Sequence, residues 1–257
     1  MGDFSSSETR GRVQEITINR PEVMNALHWK ASKEISDLFD AFVEDRDLWV
    51  SIITGSGEKA FCAGNDLKFQ AAGDGQRRLP HGFCGITARF DNTKPVIAAV
   101  NGLAMGGGFE IVLACDIVIA SETAFFALPE PRVGLAAGAG GMQRLPREIG
   151  LKRALGMMLT GRRVSAQEGR ELGFVNEVVA PGEVMEAARA WADQILECGP
   201  LSVRASKEVA YKSMSMASLE DSLSVEYPTM KTLRSSKDFI EGPKAFAEKR
   251  APNWRGD

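Results

Sequence analysis

An α/β core followed by a helical C-terminal region is the fold class that this 257-residue sequence predicts. Three observations carry that expectation. Strand-like and helix-like patterns alternate between about residues 13 and 121, which implies layered units joined by right-handed crossovers. Beyond about residue 141 nearly every patterned segment has helical spacing. Apolar residues make up 44% and charged residues 25%, the mix of an ordinary globular protein. A chain this long also buries enough surface to fold without disulfides or a structural metal. The expected division is residues 1–200 as the core and residues 201–257 as a helical C-terminal region.

Taken in order, residues 13–19 (V-Q-E-I-T-I-N) form a β-branched run that stops at Pro21. Residues 29–44 place Ile35, Leu38, Phe39, Phe42 and Val43 at helical spacing, with charges on the other face. Residues 49–54 read as a buried strand closed by Gly55-Ser56-Gly57, and the polar, glycine-studded stretch up to about Gly82 reads as a mobile loop. Residues 95–100 are another strand. Gly106 opens a helix that leads into a strand over 116–121. Helices are expected over 150–160, 165–172, 183–198, 200–213, 217–233 and 236–249, with 174–179 strand-like. Ser165 and Glu168 fit a capping box, and Gly182 opens a helix patterned by Val184, Ala188, Trp191 and Ile195. No internal repeat is visible.

Lys plus Arg number 31 against 34 Asp plus Glu, a net charge of −3. With no basic excess or stripe, a nucleic-acid partner is not expected. Cys62, Cys84, Cys115 and Cys198 are irregularly spaced, no C-x-x-C occurs, and the histidines are His28 and His81. No metal site is expected from that set, and a reducing compartment suits it. The N-terminal MGDFSSSETRGR lacks the apolar core of a secretory signal. The apolar stretch 96–120 carries Asn101, Glu110 and Asp116, which a bilayer would penalise. The expectation is a soluble cytoplasmic protein with no membrane partner.

Four local features carry chemistry: Cys62-Ala63-Gly64-Asn65-Asp66-Leu67, Asn101 through Glu110 with its Gly106-Gly107-Gly108 triplet, Pro129-Glu130-Pro131-Arg132-Val133-Gly134, and Gly138 through Arg144. Three glycines between a strand and an apolar helix let another group approach the backbone and leave the first helical N–H groups free to donate. Close helix–strand packing would ask for the same glycines. Glu110 follows the triplet among apolar neighbours, where burial raises a carboxyl's pKa and suits acid–base work. A first-turn glutamate can also merely complement the helix dipole. Glu130 is held between two prolines, a setting that a loop carboxylate in solvent shares. Neither a G-x-S-x-G elbow nor a P-loop occurs, and Cys62 reads as a small buried residue.

Together these features resemble the crotonase (enoyl-CoA hydratase/isomerase) superfamily over about residues 13–254. Asn19-Arg20-Pro21, Asn25-Ala26-Leu27, Lys94 through Gly102, Cys115-Asp116, Glu241-Gly242-Pro243 and Phe246 through Arg250 add to the likeness. Within the family, Ala63 through Lys68, Phe126 through Glu130 and the C-terminal tail most resemble carnitinyl-CoA dehydratases. The resemblance implies a spiral of ββα turns with two roughly perpendicular sheets and a helical trimerisation region, the trimers commonly pairing into hexamers. It implies Asn65 and Gly107 as backbone donors of an oxyanion hole, and Glu110 and Glu130 as catalytic carboxyls. Gly138 would set an N–H beside Glu130 and the water. Met24, Ala26, Ala63, Asp66, Leu67, Lys68 and Pro129 would lie along an acyl-CoA substrate. Lys249, from a C-terminal helix of this or a neighbouring subunit, would meet the CoA phosphates.

The activity so implied is reversible addition of water to a short 2-enoyl-CoA, with no cofactor beyond the CoA carried by the substrate. Hydration of crotonobetainyl-CoA, the reverse of carnitinyl-CoA dehydration, is the nearest alternative; Trp29, Phe69, Phe83 and Phe90 are aromatics suited to its cation. Double-bond isomerisation generally needs only one of the two glutamates. A non-catalytic RNA-binding or scaffold protein of this fold would need neither. A Cβ at Gly107 is expected to intrude on the thioester carbonyl.

Overall fold

The computed structural model describes residues 2–73 and 77–257, so residues 74–76 of the expected mobile loop lie outside the described residues. The chain starts with an antiparallel hairpin of Ser5–Arg10 (β1) and Val13–Ile18 (β2), followed by the long helix Trp29–Glu44 (α1). The imidazole Nδ1 of His28 caps α1 by accepting the Ala31 N–H at 3.1 Å. At the other end Lys94 Nζ donates to Phe42 O and Asp45 O, both at 2.5 Å, which satisfies carbonyls the helix leaves free.

A unit then repeats three times: a strand in a large sheet, a short strand in a small sheet, and a helical segment. The first is Val50–Gly55 (β3), Ala60–Cys62 (β4) and Leu67–Ala71 (α2). The second is Val96–Val100 (β5), Leu103–Met105 (β6) and Gly107–Val112 (α3). The third is Ile117–Ser121 (β7), Phe125–Ala127 (β8), the 3-10 turn Glu130–Val133 and Gly141–Ile149 (α4). Leu151–Thr160 (α5), Val164–Ser165 (β9), Ala166–Leu172 (α6), Glu177–Val179 (β10) and Val184–Leu196 (α7) follow. Pro200–Ser213 (α8), Leu219–Ser224 (α9), Pro228–Arg234 (α10) and Asp238–Ala247 (α11) complete the chain.

The large sheet has the order β1-β2-β3-β5-β7-β10, parallel except at β1. The small sheet has the order β4-β6-β8-β9, parallel except at β9. One face of the large sheet packs on α1 through Ile35, Phe39 and Phe42. The other packs on α7, where Val184, Ala188 and Ala192 meet Val50, Ile52 and Ile97. Burial on both faces explains why β3 and β5 read as near-continuous apolar runs rather than alternating ones. Phe109, Phe126 and Phe174 form a trio with ring centroids 5.1–5.2 Å apart, which pins α3 against β8.

Several elements differ from the sequence expectation. The single helix expected over 217–233 is two, because Pro228 cannot continue a helix from Leu219–Ser224 but is well suited to open the next. The supposed loop before Gly82 contains β4 and α2. On α9 and α11, Leu219, Leu223, Phe239, Ile240 and Phe246 are exposed. Among the described residues no helix is long and apolar enough to cross a membrane.

Candidate active site

β4, β6 and β8 run side by side and parallel, with Cys62 opposite Ala104 and Met105 opposite Ala127. They therefore end together, and the segments after them, 63–66, 106–110 and 128–130, meet at one edge of the small sheet. Each repeat supplies one of those segments.

Leu27 makes a parallel bridge to Asn65: its N–H donates to Gly64 O at 2.8 Å and its carbonyl accepts the Asp66 N–H at 3.1 Å. The N–H of Asn65 is thereby turned away from Leu27. Among the described residues it donates to no protein acceptor, and neither does the N–H of Gly107 at the start of α3. The two segments are in tight contact. A Cβ on Gly64, whose φ is +90°, would lie 2.6 Å from Met105 O and 2.9 Å from Gly107 N. One on Gly108 would lie 2.0 Å from Cys62 O. Only glycine permits this approach. At Gly107 the structure corrects the expected reason for glycine: an added Cβ would lie 2.7 Å from Phe83 Cε1, so it meets that ring first.

The two carboxyls flank the same backbone. Glu110 is 3% exposed, and its Oε1 accepts the Gly141 N–H at 2.9 Å. Glu130 lies over Gly106, where a Cβ would be 3.0 Å from its Oε1. Its Oε2 is buried with no hydrogen-bond partner among the described residues. Burial pushes Glu110 from 4.5 to about 7; the N–H groups of Gly141 and Ala139 and the Arg144 cation oppose the shift, and the nearby Glu130 adds to it. Burial also raises Glu130 above the usual carboxylate range. Cys62 is buried, its thiol is pushed up to about 12, and its Sγ accepts the Gly64 N–H at 3.3 Å, the role of a structural residue.

A carboxyl whose folded pKa is raised stabilises the fold in its protonated form. For Glu110 that contribution is complete below about pH 4 and is lost as pH rises through about 7. Glu110→Gln, which stays neutral, is therefore expected to melt higher than the parent at pH 8, with the gap closing toward pH 4. A gap independent of pH in thermal melts would mean that Glu110 is not buried as a strained carboxylate.

The site opens into a cleft of about 1890 Å³, well above the roughly 300–1,000 Å³ of a drug-sized ligand site. Ala63, Asn65, Leu67, Gly107, Pro129 and Gly138 all line it, as do both glutamates. The Gly138 N–H is taken by Ala136 O at 2.8 Å. Met24 and Ala26 stand beside the cleft on the 24–27 segment, where Met24 O accepts the Ala63 N–H at 3.0 Å. Asp66 caps α2 and pairs with Arg20 at 3.1 Å, and Lys68 is exposed on α2. Lys249 lies beyond α11, outside this chain's cleft. Of the four aromatics, Trp29, Phe83 and Phe90 line the cleft, whereas Phe69 packs on His28 at 4.7 Å. Sequence reasoning named Gly141 only within the Gly138–Arg144 feature and Phe83 only as an aromatic for a cation; the N–H of Gly141 on Glu110 and the ring of Phe83 against Gly107 were not foreseen.

Residues 8–257 match the family model described as enoyl-CoA hydratase/isomerase. The chain is 45% identical over 257 residues to the carnitinyl-CoA dehydratase of Proteus mirabilis (strain HI4320), covering 96% of this chain and 97% of that protein. It is 44% identical to the carnitinyl-CoA dehydratase of Escherichia coli O157:H7, covering 96% of each. The crystal structure of an enoyl-CoA hydratase from Mycobacterium tuberculosis H37Rv superposes with a TM-score of 0.92 at 39% identity over 100% of both chains. One from Bacillus anthracis superposes with a TM-score of 0.90 at 38% identity, over 99% of this chain and 100% of that one.

Proposed function

The chain belongs to the enoyl-CoA hydratase/isomerase family, and on that premise we propose that it adds water reversibly across the double bond of a 2-enoyl-CoA thioester. The observation that carries this reading is the convergence of two carboxyls, Glu110 and Glu130, on the backbone that holds two N–H groups without an acceptor among the described residues. Attack of water at C3 moves negative charge onto the thioester oxygen. The N–H groups of Asn65 and Gly107 receive that charge, and losing one such donor costs about 2.7–4 kcal/mol.

Glu110, hydrogen-bonded by Gly141 and near the Arg144 cation, takes a proton from water as the oxygen bonds to C3. Glu130, whose Oε2 has no hydrogen-bond partner among the described residues, delivers its proton to C2. Water thus supplies OH to C3 and a proton to Glu110, and proton exchange between the two carboxyls restores the starting state. With a pKa of about 7, Glu110 is present in both forms at neutral pH, so addition and elimination both find the form they need. The thioester itself activates the alkene, and the reaction needs no separate cofactor. CoA would lie along Met24, Ala26, Ala63, Asp66, Leu67 and Lys68, with Pro129 and Gly138 nearer the reacting atoms.

Hydration of crotonobetainyl-CoA is the second reading. The Proteus relative's name and the aromatic lining by Trp29, Phe83 and Phe90, which suits a quaternary ammonium, favour it. A turnover panel of crotonyl-CoA, crotonobetainyl-CoA and longer enoyl-CoAs tests both readings. Hydration of crotonyl-CoA is the expected result, preference for the betaine would establish the second reading, and no turnover of any would defeat both.

The reading places the protein in the cytoplasm as a trimer or a dimer of trimers, with Lys249 reaching the CoA phosphates of a neighbour; the exposed apolar residues of α9 and α11 support the assembly. Light scattering is expected to return three or six subunits. A monomer at micromolar concentration would contradict the assembly.

A further inference from the structure

Two asparagines outside the reacting site meet at one backbone oxygen, Ala60 O at the start of β4. Asn25 is completely buried and sits at φ +55°, in the left-handed region that asparagine tolerates better than most residues. Its Nδ2 donates to Ala60 O at 2.8 Å and to Ser56 O at 3.0 Å, and its Oδ1 accepts the Arg20 N–H at 2.9 Å. Asn101, between β5 and β6, donates from Nδ2 to Ala60 O at 3.2 Å and to Gly57 O at 2.6 Å, and its Oδ1 accepts the Gly55 N–H at 3.2 Å. The space for these amides is built in. A Cβ on Gly55 would lie 2.5 Å from Ala60 O and 2.7 Å from Asn25 Nδ2.

The connectivity gives this junction a consequence at the site. Asn25 belongs to the segment whose neighbours Met24 and Leu27 hold Ala63, Gly64 and Asp66, and so aim the N–H of Asn65. Asn101 leads into β6, which leads to Gly107. Each side chain therefore ties one half of the donor pair to the same carbonyl.

We propose that Asn25 and Asn101 are positioning residues that set the spacing and aim of the two oxyanion donors, Asn65 and Gly107. The proposal rests on the hydratase reading. Neither asparagine touches the substrate; each acts by fixing the start of β4, which leads to Asn65, Asn25 against the 24–27 segment that aims Asn65 and Asn101 against the segment that leads to Gly107. Misplacement of a reacting geometry by about 1 Å costs on the order of a hundredfold in rate, so loosening this junction is felt in kcat before it is felt in binding.

The test uses Asn25→Gly, which keeps the left-handed backbone while removing the amide, and Asn101→Ser. Each is compared with the parent for crotonyl-CoA hydration, for butyryl-CoA affinity, and for the infrared carbonyl stretch of bound butyryl-CoA isotopically labelled at that carbon. Butyryl-CoA has no double bond to hydrate, so the stretch reports hydrogen bonding at the carbonyl alone. The expected result is a loss in kcat of about tenfold to a hundredfold, a dissociation constant within about threefold of the parent, and a carbonyl shift smaller than the parent's. A residue with only a structural role would lower the melting temperature and leave the carbonyl shift in place. A folded variant with the parent's kcat and carbonyl shift overturns the proposal, and if Asn25→Gly does not fold, Asn101→Ser decides by the same readings. Failure of the hydratase reading would look different: the parent itself would neither hydrate crotonyl-CoA nor shift the carbonyl.

Discussion

Glu110→Gln and Glu130→Gln are each expected to lower kcat for hydration of crotonyl-CoA by at least about 10²-fold. KM should move far less, because neither carboxyl is needed to hold CoA. The amide is close in shape, so geometry survives: a glutamine at 110 can still accept the Gly141 N–H now 2.9 Å from Glu110 Oε1. What is lost is the capacity to exchange a proton. At 130 the amide sits where a buried oxygen now has no partner among the described residues, and it can neither give nor regain a proton at C2. The measurement is the loss of enoyl-thioester ultraviolet absorbance, with melting curves to show that both variants fold. Near-parental turnover in either would remove that residue from the acid–base pair.

Gly107→Val is expected to abolish nearly all hydration while leaving a folded protein, whereas Asn65→Ala should stay within about tenfold, or 1.4 kcal/mol of barrier. The N–H of each residue meets no acceptor among the described residues, but their side-chain positions differ in consequence. The Asn65 amide donates to Gln70 Oε1, and its removal leaves the backbone N–H in place. At position 107 even a Cβ comes within 2.7 Å of Phe83, a cleft-lining ring. The larger valine must drive that ring into the cleft or shift the start of α3, and either movement displaces a donor whose loss costs about 2.7–4 kcal/mol. If Asn65→Ala were folded and as inactive as Gly107→Val, the Asn65 side chain would itself take part in the chemistry. An active Gly107→Val would mean that the carbonyl binds elsewhere.

The long elements were legible because their periodicity outlasts local noise. α1 occupies the same residues, Trp29–Glu44, that the spacing of Ile35, Phe39 and Phe42 marks out. β1 was not legible: S-S-S-E-T-R is a polar edge strand with no buried face to impose alternation. β4, β6 and β8 have three residues each, too few for any period, yet they carry the candidate site. The threefold ββα unit, expected from the family resemblance, was not visible as a sequence repeat for a related reason. Its copies share geometry rather than residues, since A-F-C, L-A-M and F-F-A satisfy the same buried slot. α4 was hidden by its opening Gly140-Gly141 and internal Pro146, which read as breakers. The site residues were readable through carboxylates and glycines in apolar or proline-bound settings. Their meeting was not, because it depends on where three short strands stop.

That arrangement also orders the protein's assembly in time. Every parallel pairing in the large sheet is distant in sequence, Val13 with Val50 and Ser51 with Val96 for example, so the chain must close long loops before strand contacts reward it. During synthesis the N-terminal portion emerges and begins to collapse first. Asn65 is available one repeat before Gly107 and Glu110, and Glu130 one repeat later still. A nascent chain that has delivered β6 and α3 but not β8 holds both proposed oxyanion donors and one of the two carboxyls, with the slot beside β6 still unfilled. An open strand edge of this kind is where partly made chains stick to one another. Glu130 therefore arrives directly behind β8, the strand that closes that edge.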